Sequence, residues 1–380
     1  MGSKSKRRNA ALSRRTKKAG LPPGTLVHIG EKREEAVRIT YMDYDEQHFE
    51  EKQGVSIEEC FSFKDTATTT WINIDGIDDI PIIAKIGKAY DLHPLILEDI
   101  VTAGQRPKYD SYDKYAYIVL KMLTYNYSIR AIESEQISIV FGANFVISFQ
   151  EDVGDIFNPI RDRIRQAKGK IRKMGADYLA YSLIDAIVDG YFGILEKTGE
   201  QVEELEDELI DRPTEEILRQ IHARKREMMS LRRSVWPMRE LISAMQRDES
   251  SLICSQTHVY LRDVYDHTIQ IIDTIEGFRD IVAGMLDIYL SSIGNRTNKI
   301  VRHLTLINTI FMPLTLLAGI GGMSEWSMMT GPENWKIAYP VFLLLMVMLG
   351  TGSYLILRKL EARDRARAEK KATELGSSVS

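Results

Sequence analysis

Seven residues near the C-terminus, Asn298, Val301, Thr305, Asn308, Met312, Thr315 and Gly319, follow one another at spacings of three and four. Wound at 100° per residue they fall within a sector of about 100°, with Leu304 at its edge, and the other faces of the same helix are Leu, Ile and Phe. Amides and hydroxyls on one face of an apolar helix have two uses. They bond to a neighbouring helix, which Ala318 and Gly322 at small-xxx-small spacing would help bring close, or they line a water-filled passage. Both readings stay open on the stripe alone. Oxygens of this kind suit a hard cation that keeps its hydration shell, and Mg²⁺ sheds water reluctantly. A single helix cannot enclose a passage, so a pore requires several copies, each giving the same face.

Upstream, Asp266, Asp273, Asp280 and Asp287 recur every seven residues. The first three also fit a solvated acidic edge. Asp287, nearest the apolar stretch, is the candidate for a carboxylate ring that concentrates cations. Enzymatic chemistry has no matching residues: there is no nucleophile–base pair and no HExxH. Gly87-Lys88 and Gly169-Lys170 lack both the earlier Gly and the following Ser/Thr of a phosphate loop, so no ATP site is expected. Cys60 and Cys254 stand far apart and the seven histidines do not cluster, which leaves soft-metal and disulfide chemistry without ligands. Membrane potential suffices as a driving force, because a divalent cation gains about 4.6 kcal/mol per 100 mV at ~2.3 kcal/mol per charge.

These residues need a membrane to sit in. Residues 304–322 and 337–357 are uncharged runs of 19 and 21 residues. A ~30 Å hydrocarbon core takes about 20 helical residues, so both are long enough to span. Arg296, Lys299 and Arg302 precede the first run, and Arg358, Lys359, Arg363, Arg365, Arg367, Lys370 and Lys371 follow the second. Basic flanks stay in the cytosol, which puts both termini inside a cell (inner) membrane and the short loop outside. Trp326, Trp335 and Tyr339 suit the outer interface. The mean hydropathy of −0.21 hides these spans, because the rest of the chain is polar. With a net charge of −4, no global field attracts nucleic acid. Residues 1–20 hold eight Lys/Arg and no acid, and read as a disordered basic arm; loose attraction to anionic lipid or RNA stays open there. No apolar stretch opens the chain as a cleavable signal would.

Between arm and membrane the pattern changes once. From 36 to about 150, β-rich runs at 37–41, 70–74, 115–123, 137–141 and 145–149 alternate with helical stretches at 79–90 and 94–100, predicting an α/β domain with a mixed or mainly antiparallel sheet. From 153 the helical period takes over. An acidic helix and a basic one, joined at Arg212-Pro213, read as an antiparallel hairpin, and a long helix starting near Val259 meets no proline until Pro313. The expected organisation is a basic arm at 1–35, an α/β cytosolic domain at 36–152, a helical bundle with the hairpin at 153–255, a stalk helix continuing into the first span at 256–322, an outer loop at 323–336, the second span at 337–357 and a basic tail at 358–380.

Several ordered segments resemble the CorA family of magnesium and cobalt channels: His93-Pro-Leu-Ile-Leu-Glu-Asp99, Gln105-Arg-Pro-Lys108, Tyr117-Ile-Val-Leu-Lys-Met122, Ser134-Glu-Gln136, Tyr181-Ser-Leu-Ile-Asp185, Tyr260-Leu-Arg-Asp-Val-Tyr-Asp-His267, Tyr289-Leu-Ser-Ser292, and Thr309-Ile-Phe-Met-Pro-Leu-Thr315 leading to Ala318-Gly-Ile320. The resemblance implies a homopentameric funnel whose first membrane helix lines the pore through Asn298, Val301, Leu304, Thr305, Asn308, Met312, Thr315 and Gly319. It also implies regulatory Mg²⁺ between neighbouring cytosolic domains, at Asp99 and Asp263 with Glu98, Asp185 and His267 close by. One departure stands out. Where the family carries Tyr-Gly-Met-Asn at the outer mouth, this chain reads Gly321-Gly322-Met323-Ser324, followed by Glu325. Ser324 keeps a hydroxyl with a shorter reach, so its ring would be wider or would rely on the Gly321 and Gly322 carbonyls, with Glu325 compensating by its negative charge at the mouth. Two rivals remain: a transporter of Zn²⁺ or another transition metal from the same superfamily, and a membrane-anchored scaffold that conducts nothing.

Overall fold

The computed structural model describes residues 22–27, 37–152, 154–321, 331 and 333–376. They form two compact units, residues 1–286 and residues 287–380.

The first unit is built on a seven-stranded sheet: β1 (Arg38–Tyr44), β2 (Phe49–Gln53), β3 (Thr69–Asp75), β4 (Lys108–Ser111), β5 (Tyr115–Asn126), β6 (Ala131–Gly142) and β7 (Phe145–Gln150). Its order is β2-β1-β3-β7-β6-β5-β4. Only β3 and β7 run parallel, with Ile72 beside Ile147; every other pair is antiparallel, so the sheet is mixed and mainly antiparallel. Strand side chains alternate between the faces, and both faces are buried. Trp71, Ile118, Leu120, Ile139 and Val146 point to one core, and Ile72, Tyr117, Val119, Val140 and Ile147 to the other.

The second of these cores is closed by a 3₁₀ helix (Ile57–Asp65) and by α1 (Ile80–Ala89) and α2 (Pro94–Val101). Prolines in the first turn of α1 and α2 suit a place where no backbone N–H is needed. Gly87 lets α1 approach α2 closely, since a Cβ there would collide with the Leu97 side chain.

The other face is covered by α3 (Asn158–Arg165), α4 (Ala176–Asp211) and α5 (Glu215–Gln246), with part of α6 (Ser255–Gly321). Strand and helix residues share this one core, so the division expected at 152/153 falls inside a single unit rather than between two domains. Asp177, buried at the start of α4, accepts from the Cys254 backbone N–H at 2.8 Å and from Thr257 Oγ1 at 2.6 Å. It satisfies donors at the N-terminus of α6 and pins where that helix begins. Further along, Phe278 of α6 lies against Gly199 of α4.

The second unit contains the rest of α6 and α7 (Trp335–Gly376), so the expected basic tail is helical as far as Gly376. Among the described residues, three helices are long and apolar enough to cross a membrane. In Ala176–Asp211 the apolar window is 67% buried by the protein itself, so its apolar face is already satisfied as core. In Ser255–Ile320 and Lys336–Lys359 the windows are wholly unburied, and they need lipid or other copies.

Candidate ion pathway and metal sites

All eight residues expected to line a pore lie on α6, Asn298 and Val301 in the basic flank just before the uncharged run and the other six within it. Asn308, Met312, Thr315 and Gly319 share one open groove with Thr309, Phe311, Pro313, Leu316 and Ile320. The single chain leaves the stripe exposed, with Met312 at 78%, but Phe311 and Leu316 on other faces are exposed too. Within the stripe, the threonines and the asparagines are satisfied differently. Thr305 Oγ1 donates to the Val301 carbonyl at 2.9 Å, and Thr315 Oγ1 to the Phe311 carbonyl at 2.8 Å. With their protons spent on the helix, these oxygens turn only lone pairs outward, and the protons of an ion's water shell are the complementary partners. They need no second helix to be satisfied. Asn298 and Asn308 differ: neither side-chain amide has a hydrogen-bond partner among the described residues. An amide at membrane depth must find water or another copy. Pro313 lacks an N–H, so the Thr309 carbonyl loses its helical donor beside the same groove.

Asp287 is exposed on α6 at the first residue of the second unit. Gly322, Met323, Ser324 and Glu325, the expected outer mouth, lie outside the described residues, as does most of the basic arm.

Four of the five expected regulatory residues fall into two groups, and Asp263 stands apart from both. Glu98 and Asp99 close α2 and face a cavity of 590 Å³ with Asp110 and Lys108. The Asp99 carboxylate accepts from Gln105 Nε2 at 2.8 Å and pairs with Lys108 Nζ at 2.9 Å; Lys108 also holds Asp110 at 2.6 Å. Gln136 braces this corner, accepting the Gly104 and Gln105 N–H groups and donating to the Asp99 carbonyl. The Glu98 carboxylate accepts the Gly24 N–H at 2.5 Å.

The second group sits where α4 passes α6. Asp185, Asp189 and His267 bring one ligand atom each within 4.8 Å of one another. His267 Nδ1 is buried, hydrogen-bonded to nothing in the structure, and 3.8 Å from Asp189 Oδ1; the ring packs edge-on against Phe192. Burial, and then repulsion from Asp189, push the Asp185 carboxyl up to about 6 against the pull of the Tyr181 hydroxyl and His267. Two carboxylates and an unpaired imidazole nitrogen are a credible divalent-cation donor set, because a cation would relieve that repulsion. Asp263, one turn before His267, is exposed and does not join the cluster, nor do Glu98 and Asp99, among the described residues. Asp189 is absent from the sequence-based set. Its signal was its place four residues after Asp185 on a helical run, which puts both on one face.

The sequence profile of the family described as CorA-like Mg2+ transporter protein matches residues 66–359. The cobalt/magnesium transport protein CorA of Thermotoga maritima is 49% identical over 330 residues, 87% of this chain and 93% of that protein. The putative metal ion transporter YfjQ of Bacillus subtilis is 30% identical, over 74% of this chain and 86% of its own length. Among solved structures, the complete CorA magnesium transporter of Methanocaldococcus jannaschii superposes with a TM-score of 0.70 at 20% identity, covering 85% of this chain and 98% of that one.

Proposed function

This chain belongs to the CorA-like Mg²⁺ transporter family, whose members are transporters and not enzymes, and we propose that it carries Mg²⁺, with Co²⁺ as a second cargo, through a pore built by five copies of α6. The observation that carries this reading is the stripe: Asn298 and Asn308 without partners among the described residues, and Thr305 and Thr315 with hydroxyl lone pairs turned outward, on a helix otherwise coated in Leu, Ile and Phe. Such a wall bonds to an ion's water shell without stripping it. In a scaffold that conducts nothing those amides would serve only as glue between copies, and replacing Asn308 with Leu separates the two uses. The unclustered histidines and distant cysteines speak against a pathway for softer metals.

Both termini lie in the cytosol, on the strength of the basic flanks of the two spans. Asp287 raises the cation concentration on that side, and Ser324 with Glu325 receives the ion at the outer mouth. Inside-negative potential drives entry, and no ATP is consumed.

Regulation uses Mg²⁺ as a ligand. The carboxylates of Glu98 and Asp99 in one subunit meet Asp263 of the next, with Asp185 and His267 near. Empty, these groups repel; a bridging ion holds the ring closed, and its loss lets the subunits part. Asp99 already pairs with Lys108, so Mg²⁺ must compete with that ammonium.

The test is uptake into proteoliposomes under an imposed potential. Mg²⁺ should enter with the potential and without nucleotide, and Co²⁺ should compete. Entry of Zn²⁺ that Mg²⁺ leaves untouched would overturn the assignment.

A further inference from the structure

A second cleft, of 970 Å³, opens in the first unit between the loop 102–107, β5 and α5. Five cations line it, Arg106, Lys108, Lys121, Arg232 and Arg233, and no carboxylate does. Two of the five are committed elsewhere: Lys108 to Asp99 and Asp110, and Arg232 to Glu276 at 2.8 Å. The other three, Arg106, Lys121 and Arg233, hold no ion pair and no side-chain hydrogen bond among the described residues. Arg106 and Arg233 are exposed and bear this at little cost. Lys121 is different. It projects from β5, the strand next to the sheet edge, and is largely enclosed; burial pushes its ammonium below the ordinary lysine value, and Glu151 and Glu135 only partly oppose that. An unpaired, desolvated ammonium is expensive, and it persists where an incoming anion would supply the missing partner.

The same loop and helix also bring an apolar lining. Met229, Pro107 and Pro237 form it, and the Trp236 indole stands 39% exposed beside them, with the Arg239 guanidinium 5.0 Å from its ring. A planar aromatic group fits there. The volume lies at the upper end of the ~300–1,000 Å³ range of small-molecule sites. Inorganic phosphate would leave the aromatic side unfilled, and an uncharged aromatic would leave Lys121 unpaired.

We propose that this cleft binds a nucleoside polyphosphate, its phosphates on Lys121, Arg106 and Arg233 and its base against Trp236. Guanidinium forks and an ammonium point charge together are the donor set that phosphates take. The site is separate from the ion pathway and involves no hydrolysis.

Equilibrium dialysis of ATP against the detergent-solubilised full-length protein, at fixed free Mg²⁺, tests it. Saturable binding is expected, weakened about tenfold or more by Arg233→Gln and by Lys121→Met and restored by Lys121→Arg. Arg233 is exposed, so its variant reports on binding even if Lys121→Met folds poorly. Trp236→Ala should weaken ATP and AMP while sparing inorganic tripolyphosphate. Absence of saturable ATP binding at millimolar concentration, or indifference to Arg233→Gln, overturns the proposal. Tripolyphosphate binding as tightly as ATP, with no effect of Trp236→Ala, overturns the nucleoside assignment. Uptake is not the readout, so failure here leaves the transport reading untouched.

Discussion

Replacing Asn308 with Leu removes the one amide that the groove on α6 presents to whatever fills it. Because that amide has no partner among the described residues, the change breaks nothing within the subunit and leaves the helix intact. Its effect is then confined to what faces the stripe. A hydrogen bond to an ion's water shell is worth about 0.5–1.5 kcal/mol net. Summed over five copies this is about 2.5–7.5 kcal/mol, and at ~1.4 kcal/mol per decade even the lower figure lowers flux about 60-fold. Leucine offers the water shell nothing in return and favours dewetting of a narrow passage. Mg²⁺ uptake by proteoliposomes, normalised to assembled oligomer, measures this directly. Asn308→Gln, which keeps an amide one methylene further out, should stay within about tenfold of the wild type. An assembled Asn308→Leu channel that takes up Mg²⁺ within twofold of the wild type would show that the stripe faces protein or lipid, and the pore reading would fail.

Three further outcomes are expected. Asp99→Asn with Asp263→Asn should leave uptake active at cytosolic Mg²⁺ concentrations that shut the wild type, measured with Mg²⁺ preloaded into the vesicles; unchanged closure would remove those carboxylates from gating. Ser324→Asn should lower the Mg²⁺ concentration for half-maximal uptake, since a longer amide tightens the outer ring; no shift would move selectivity to another part of the pathway. Arg165 holds the Glu51 carboxylate through two 2.8 Å bonds and lowers its proton affinity below the ordinary value of 4.5. A depressed carboxyl stabilises the fold above its unfolded-state value and loses that contribution as pH falls through its folded-state value. Arg165→Met should therefore cost about 0.5–1 kcal/mol near pH 7 and almost nothing near pH 2, by chemical denaturation of the soluble part, and an equal cost at both pH values would refute the pairing.

How far the chain could be read depended on whether the signal was local. The uncharged runs at 304–322 and 337–357, the three-and-four spacing of the stripe, and the alternating strands around Tyr117, Ile139 and Ile147 are visible within a short window, because helix and strand periodicity is a property of neighbours. The edge strands β2 and β4 were not visible. Their sequences, FEEKQ and KYDS, lack an apolar alternation, since an edge strand buries little and is held by backbone pairing to its neighbour.

Taken alone, then, the sequence determined that two segments seek lipid, that one of them carries a hydrophilic face, and that a sheet and long helices precede them. Tertiary structure decided the rest. It buried the apolar window of α4 as core, so that helix is no membrane span, and it brought Asp189 to His267 across α4 and α6. It also enclosed Lys121 among cations that come from a loop and from α5 more than a hundred residues later. Such groupings depend on which faces pack together, and a window shorter than the separation between the partners holds no information about that choice.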